Sequence, residues 1–346
     1  MKKRIGLLVF GTFAMFSLFA CGGGENKDNQ PQEETVTKSE LLTKAQTMFA
    51  VLPTSIDNPD NPVTPEKVAL GKKLYYDTRL SKEGKNSCNS CHNLQTYGVD
   101  NLPFSPGDKG EFGGRNSPTV LNAAFHFVQF WDGRAKDVEE QAAGPIVNPV
   151  EMAMPSAGFL EKRLNGIAEY KSEFKSVFPD AKKITISDVA KAIGAFERTL
   201  ITPSRFDDYL AGKVEALNDQ EKEGLKKFMD NGCRTCHAGA QLGGNMFQKF
   251  GVHKPYWEAT GSKKKDEGKF EVTAVESDKY FFKVPGLRNI EKTWPYFHDG
   301  SVEKLEEAVA IMADVQLNKK LSEGDVNDIV AFLKTLTGEV PKSALN

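Results

Sequence analysis

After residue 20 the sequence has no apolar run long enough to cross a membrane, which excludes a polytopic membrane protein. It has no surplus of either charge: 45 Lys and Arg stand against 47 Asp and Glu, a net charge of −2. Without a basic excess to neutralise a phosphate backbone, nucleic acid is excluded as a partner. Hydrophobic residues at 39% and charged residues at 27% exclude global disorder. Cysteine and histidine are scarce, five of each in 346 residues, and their placement is far from random. At roughly 150 residues per domain, the length suggests two domains once a leader is removed.

Lys2, Lys3 and Arg4 precede an apolar run from Ile5 to Ala20, the charged-then-apolar layout of an export signal. The run ends Leu18-Phe19-Ala20-Cys21 before three glycines, which resembles a bacterial lipoprotein cleavage box. Residues 1–21 are therefore expected to be a signal peptide ending at Cys21, the lipidated first residue of the mature chain; ordinary cleavage with Cys21 incidental is the alternative. Residues 22–40 are polar and read as a flexible tether. The expected location is the periplasm, with the membrane reached only through the lipid.

The other four cysteines form two copies of one pattern, Cys88-Asn89-Ser90-Cys91-His92 and Cys233-Arg234-Thr235-Cys236-His237. Similar segments flank each. Glu66-Lys67 and Gly71-Lys72-Lys73-Leu74-Tyr75 precede the first; Glu221-Lys222 and Gly224-Leu225-Lys226-Lys227-Phe228 precede the second. Well after each pair comes a helix by apolar spacing. Their tails match: Ala195-Phe196-Glu197-Arg198-Thr199-Leu200 and Ala331-Phe332-Leu333-Lys334-Thr335-Leu336. Ser322 and Asp325 form a capping pair for the second. The predicted fold is mainly α, two units related by internal duplication, residues 41–204 and 205–346, linked near Thr202-Pro203-Ser204.

Cysteines at i and i+3 and a histidine at i+4 lie on one face of a helical turn. Two thiols there can add to the vinyl groups of one haem while the imidazole reaches the iron, the c-type attachment pattern. A redox disulfide needs no trailing histidine, and zinc would draw four close ligands. Two covalent haems c are therefore expected, on Cys88 and Cys91 and on Cys233 and Cys236, with His92 and His237 as iron ligands. With Cys21, this leaves no cysteine for a disulfide.

The far side of each iron decides between electron passage and chemistry. Met312, past His237 and before Ser322, is placed to ligate the second iron; core packing on a helix over 302–312 is the alternative. No His or Met lies between His92 and His126, and the next methionines are Met152 and Met154. The first iron is therefore expected to be open.

With these residues in hand, the chain resembles the bacterial di-haem cytochrome c peroxidases, related to the di-haem enzyme MauG of quinone-cofactor maturation. The matching stretches are Cys88–His92, Arg115–Thr119, Gln129–Arg134, Val150-Glu151-Met152, Cys233–His237, Pro295–Gly300 and Leu305–Met312. The resemblance implies two cytochrome c-like haem domains and reduction of hydrogen peroxide to water with electrons from a small donor protein, a cytochrome c or a cupredoxin. It implies that Glu151 is the distal acid–base group, with Gln141 a polar residue beside it. Trp131 would lie between the haems and help electrons cross, Met312 would ligate the second iron, and His298 would support the interface. A calcium ion is implied between the domains, held by Asn116 and the backbone carbonyls of Thr293 and Pro295. The family is commonly dimeric, so a homodimer is among the expected states.

One departure stands out. Many members carry a histidine in the loop after the first motif that ligates the peroxidatic haem at rest. Here Phe104-Ser105-Pro106-Gly107-Asp108 has Asp108 at that place. The expectation is an enzyme without that lock; His126 is the one nearby substitute, better read as a core residue. Two rival functions remain, a MauG-like enzyme oxidising a partner protein, against which Met312 argues because MauG has a tyrosine there, and a non-catalytic electron carrier. Lys263–Glu267 reads as a solvated loop.

Overall fold

The structure is a computed structural model describing residues 40–346. The leader, Cys21 and the tether to residue 39 lie outside the described residues. A helical stretch over 40–46 is followed by α1 (Pro65–Tyr75), α2 (Cys88–Cys91), α3 (Val138–Val147), α4 (Ala157–Asn165), α5 (Ala168–Val177) and α6 (Ile186–Glu197). Then come α7 (Arg205–Leu210), α8 (Asp219–Asn231), β1 (Phe247–Lys249), α9 (Tyr256–Thr260), α10 (Phe270–Thr273), β2 (Phe281–Lys283), α11 (Leu305–Leu317) and α12 (Glu323–Lys334). β1 and β2 form an antiparallel pair with Gln248 opposite Phe282.

The helices start where local chemistry satisfies their free N–H groups. The Thr64 hydroxyl accepts from Lys67 N–H, with Pro65 at the first helical position of α1. Asn218 and Glu221 form a capping box on α8, as do Thr185 and Asp188 on α6. Ser322 caps α12 through Asp325 N–H at 3.1 Å, as expected. The helix expected from Val302 begins instead at Leu305, because the Val302 carbonyl is taken by Tyr296 N–H at 2.6 Å in an antiparallel bridge.

Two helix crossings frame the molecule, and glycine makes both. A Cβ on Gly71 of α1 would lie 1.9 Å from the Ala192 carbonyl oxygen of α6; one on Gly224 of α8 would lie 1.8 Å from that of Asp328 on α12. The backbones meet directly, with no room for a methyl group.

The buried apolar residues fall into two clusters. One gathers Leu70, Leu74, Tyr75, Ile146, Leu160, Val189, Ile193 and Phe196; the other gathers Phe206, Leu225, Phe228, Leu305, Ile329, Phe332 and Leu333. The chain ends cross over between them. Ala45 and Phe49 pack in the second cluster, and Ala344 packs in the first. Lys72 Nζ holds the Ser343 and Leu345 carbonyls at 2.9 and 2.6 Å, and Tyr76 OH donates to Ala344 O at 3.0 Å. Each core thus includes a strip from the far end of the chain, which a division at residue 204 does not convey.

Between the clusters lies a buried joint. The Asn122 carboxamide pairs with Thr202 on both sides, Nδ2 to Oγ1 at 2.7 Å and Oδ1 from N–H at 2.9 Å. Asn289 Nδ2 donates to the same hydroxyl at 2.9 Å. Both asparagines have positive φ, 60° and 62°, and both donate their N–H to a leucine carbonyl, Leu200 and Leu336, in the matching tails.

Candidate active site

Both Cys-x-x-Cys-His segments form the expected turn. His92 N–H donates to Cys88 O and His237 N–H to Cys233 O, each at 3.0 Å. All four thiols are free and partly buried. Burial pushes the Cys233 thiol up to about 11. It does the same to Cys91, also about 11, with the charges of Asp100 and Glu151 adding to it. Each imidazole points one nitrogen at a backbone carbonyl: His92 Nδ1 lies 3.0 Å from Pro118 O, and His237 Nδ1 lies 3.0 Å from Leu242 O. A donating Nδ1–H leaves Nε2 with its lone pair for a metal, the usual outer-partner arrangement for a ligating histidine. Burial lowers both histidine pKa values, which favours the neutral form that binds iron.

A cavity of about 250 Å³ is lined by Cys233, Cys236, His237, Met312, Lys283 and His298 among others, its exposed wall almost wholly apolar. Two observations fit a haem here. The expected ligands share one cavity, and His298 Nε2 is buried there with no hydrogen-bond partner among the described residues. The buried Lys283 ammonium, whose pKa burial lowers to about 8 against the charge of Asp132, has the His126 ring at 3.1 Å as its hydrogen-bond partner among the described residues. A cofactor bearing acidic groups would satisfy both. His126 is thereby placed: it lines this cavity, enclosed by Gly244 and Gly286, with Nδ1 on Lys283.

One short segment links the two halves. Pro118 O receives His92; two residues back, Asn116 O accepts Trp131 Nε1–H at 2.9 Å and Asn116 N–H donates to His298 O at 2.7 Å. The Trp131 and His298 rings stand 6.3 Å apart, edge to face. His298 also stacks on Phe282 at 4.4 Å. Arg115 ties the same region together, binding Asp266 through Nε at 2.6 Å and Asp132 through Nη1 at 2.5 Å. Asp266 is buried, so the run expected as a solvated loop is solvated at its three lysines and in part at Glu267, but not at Asp266.

Trp131 and His298 occupy equivalent places. Phe130-Trp131-Asp132-Gly133 and Phe297-His298-Asp299-Gly300 each follow one partner of an isolated antiparallel bridge, Gln129 with Ala135 and Tyr296 with Val302. Phe130 and Phe297 both have positive φ, 65° and 72°. The sequence carries this second repeat openly, but it is shorter than the cysteine pattern and easily passed over. Followed into the next helices, it sets Val138 of α3 opposite Leu305 of α11, and hence Pro145 opposite Met312. Proline has no atom that can bind iron. Met152 and Met154 are buried in the first core.

Glu151 is partly buried beyond the end of α3. Burial raises its pKa, against the Arg134 guanidinium and Asn148, which lower it. Arg134 itself lies over the Phe130 ring at 3.5 Å. Gln141 sits half-buried on α3. Asp108 is fully buried, with its carboxylate spent on protein donors: Ser81 Oγ at 2.7 Å, Glu83 N–H at 2.5 Å and Lys85 N–H at 3.0 Å. The Asn116 side chain faces Leu102 O at 2.9 Å, and Asn116, Thr293 and Pro295 line the same cavity. Among the described residues no cluster of three or more His, Cys, Asp or Glu forms a metal site.

Residues 65–215 match the family model of di-haem cytochrome c peroxidase. The chain is 47% identical over 317 residues to a cytochrome c551 peroxidase of Nitrosomonas europaea, covering 89% of this chain and 93% of that one. It is 47% identical over 306 residues to the cytochrome c551 peroxidase of Pseudomonas aeruginosa, covering 87% and 88%. A solved MauG-like protein associated with microbial copper homeostasis superposes with a TM-score of 0.73 at 28% identity, over 86% of this chain and 97% of that one. With two Cys-x-x-Cys-His turns and these relatives, the chain belongs to the di-haem cytochrome c peroxidase family, to which MauG is related, and is a cytochrome-c peroxidase with two haems c.

Proposed function

We propose that this enzyme works in the periplasm, lipid-anchored at Cys21, and reduces hydrogen peroxide to two waters with two electrons and two protons. The electrons come from a small redox protein, a cytochrome c or a cupredoxin. The haem on Cys88, Cys91 and His92 is the peroxide site; the haem on Cys233 and Cys236, ligated by His237 and Met312, is the electron entry. The observation that carries this division is the pairing of Pro145 with Met312: one helix offers a thioether and its counterpart offers nothing. The same Met312 favours the peroxidase over a MauG-like reading.

Haem supplies the stored electrons and the place where peroxide is held. The chain supplies the rest. The Nδ1–H bonds to Pro118 and Leu242 fix the two imidazoles. Glu151 takes the proton from one peroxide oxygen and delivers it to the other, which splitting of the O–O bond requires. Its raised pKa suits a group that must both hold and release a proton. Gln141 completes the polar distal wall. Trp131 carries electrons between the haems, next to His298. Calcium is held by Asn116, Thr293 and Pro295, neutral oxygens that need water to complete a shell. The matched turns, crossings, asparagines and bridges support two duplicated cytochrome c-like units, 41–204 and 205–346, with exchanged end strips. A homodimer, common in the family, is one of the expected assemblies.

Electron paramagnetic resonance of the oxidised and half-reduced holoprotein tests the division. A high-spin signal for one haem in the oxidised state, together with turnover of peroxide and reduced cytochrome c, is expected. Two low-spin, six-coordinate irons in the oxidised protein would sink it.

A further inference from the structure

The segment entering the first attachment turn, residues 79–86, has little regular structure to satisfy its backbone. It is gripped from both sides. Arg163 of α4 donates to the carbonyls of Arg79, Ser81 and Lys82 at 2.8, 2.6 and 3.0 Å. The buried Asp108 carboxylate collects the opposing donors, the Ser81 hydroxyl and the N–H groups of Glu83 and Lys85. Asp108 then reaches a second partner with its backbone, donating N–H to Glu151 O at 2.7 Å. Contact there is tight: a Cβ on the neighbouring Gly107 would lie 1.8 Å from Val150 O. Lys82 N–H to Met152 O, at 2.9 Å, closes the ring. Ser105, on the same loop, hydrogen-bonds with Ser117 at 2.7 Å.

Asp108 therefore ties the stretch that carries Cys88 to the stretch that carries Glu151, alongside the Lys82–Met152 backbone bond. We propose that Asp108 is a positioning residue for the peroxide reaction, setting the separation between the first haem-attachment turn and the Glu151 carboxyl. This rests on Glu151 being the acid–base group. A carboxylate suits the place because it accepts only, and three donors converge on it. An asparagine would turn its NH₂ toward at least one of those donors and release part of the loop. Proton transfer falls steeply with misplacement, about a hundredfold for 1 Å.

The test is a double-mutant cycle on the holoprotein, with haem content and the optical spectrum checked for each variant. Single-turnover rates with hydrogen peroxide are compared for the parent, Asp108→Asn, Glu151→Gln and the double variant. Asp108→Asn is expected to keep both haems and react about ten- to a hundredfold more slowly. In the Glu151→Gln background the same change is expected to add nothing, because the group it positions is gone. A parental rate for Asp108→Asn, with Glu151→Gln impaired, overturns the role of Asp108 alone. An equal loss in both backgrounds also overturns it, showing a merely structural effect. A parental rate for Glu151→Gln retires the acid–base reading and this inference together. If Asp108→Asn fails to hold haem, Ser81→Ala removes one donor and leaves the carboxylate. A few-fold slowing with the same non-additivity is then expected, and a parental rate overturns the proposal.

Discussion

Pro145 and Glu151 are six positions apart, and in the proposed division of labour they would give the first site an empty ligand position and a proton carrier. Pro145→Met puts a thioether where the matching helix has Met312. The oxidised first haem is expected to turn low-spin and peroxide turnover to fall at least tenfold, read by the optical spectrum and a steady-state assay. An unchanged spin state in a haem-replete variant would show that α3 and α11 do not present equivalent positions to their irons. Glu151 has a pH signature. Burial raises its pKa, so the base form that accepts the first proton is lost at a higher pH than an exposed glutamate would show. The single-turnover rate is expected to fall as pH drops through a value above the usual glutamate range, about 4.3. Sign matters for stability as well. A carboxyl raised on folding favours the native state below its unfolded pKa, and that contribution is lost as pH rises through the folded value. Glu151→Gln is therefore expected to leave stability at neutral pH unharmed. His298 shows the limit of reading residues singly: its aromatic neighbours, its unpartnered nitrogen and its equivalence to Trp131 are invisible in a lone histidine.

At the scale of elements, the helices that frame each haem site are held by close backbone contact at one glycine each. Gly71→Ala and Gly224→Ala insert a methyl group against a carbonyl oxygen of the closing helix. Each is expected to cost about 3 kcal/mol, or roughly 6–10 °C in midpoint, measured by thermal unfolding of the holoprotein. A shift under 1 °C at either site would mean that the helices separate freely. These helices were legible in the sequence. Their apolar spacing is local, and α1, α6, α8 and α12 fall on the repeated segments and tails that flank the two cysteine motifs. The start of α11 was not, because the Tyr296–Val302 bridge that delays it closes a five-residue turn, 297–301, whose geometry no apolar spacing reports. The loop with Asp108 was legible only as a departure; its grip on Ser81, Glu83 and Lys85 spans more than twenty residues.

At the scale of the whole molecule, the halves are joined by buried polar groups. Arg115 bridges Asp132 in the first half and Asp266 in the second, all three largely out of solvent. Burial alone would push the Asp266 carboxyl up, but the Arg115 guanidinium holds it below the usual range. That contribution is present above the unfolded pKa near 3.9 and is lost as pH falls through the depressed folded value. Arg115→Met leaves the buried Asp266 carboxylate without its guanidinium and Asp132 with Arg134 alone, and is expected to cost about 3 kcal/mol, with slower electron transfer between the haems. Stopped-flow reduction and thermal unfolding check the two parts. A parental midpoint would show that Asp266 finds another partner and that Arg134 alone suffices for Asp132.

The sequence by itself determined the chemistry of attachment. Two Cys-x-x-Cys-His turns need only five consecutive residues each, and the helices around them need only local spacing. Tertiary structure decided what those turns face. The His92–Pro118 bond, the Trp131–His298 pair and the crossing of the two chain ends all join residues far apart in sequence. Such contacts form only after the cores have packed, and packing energy is shared among many side chains, so no short stretch of sequence announces them.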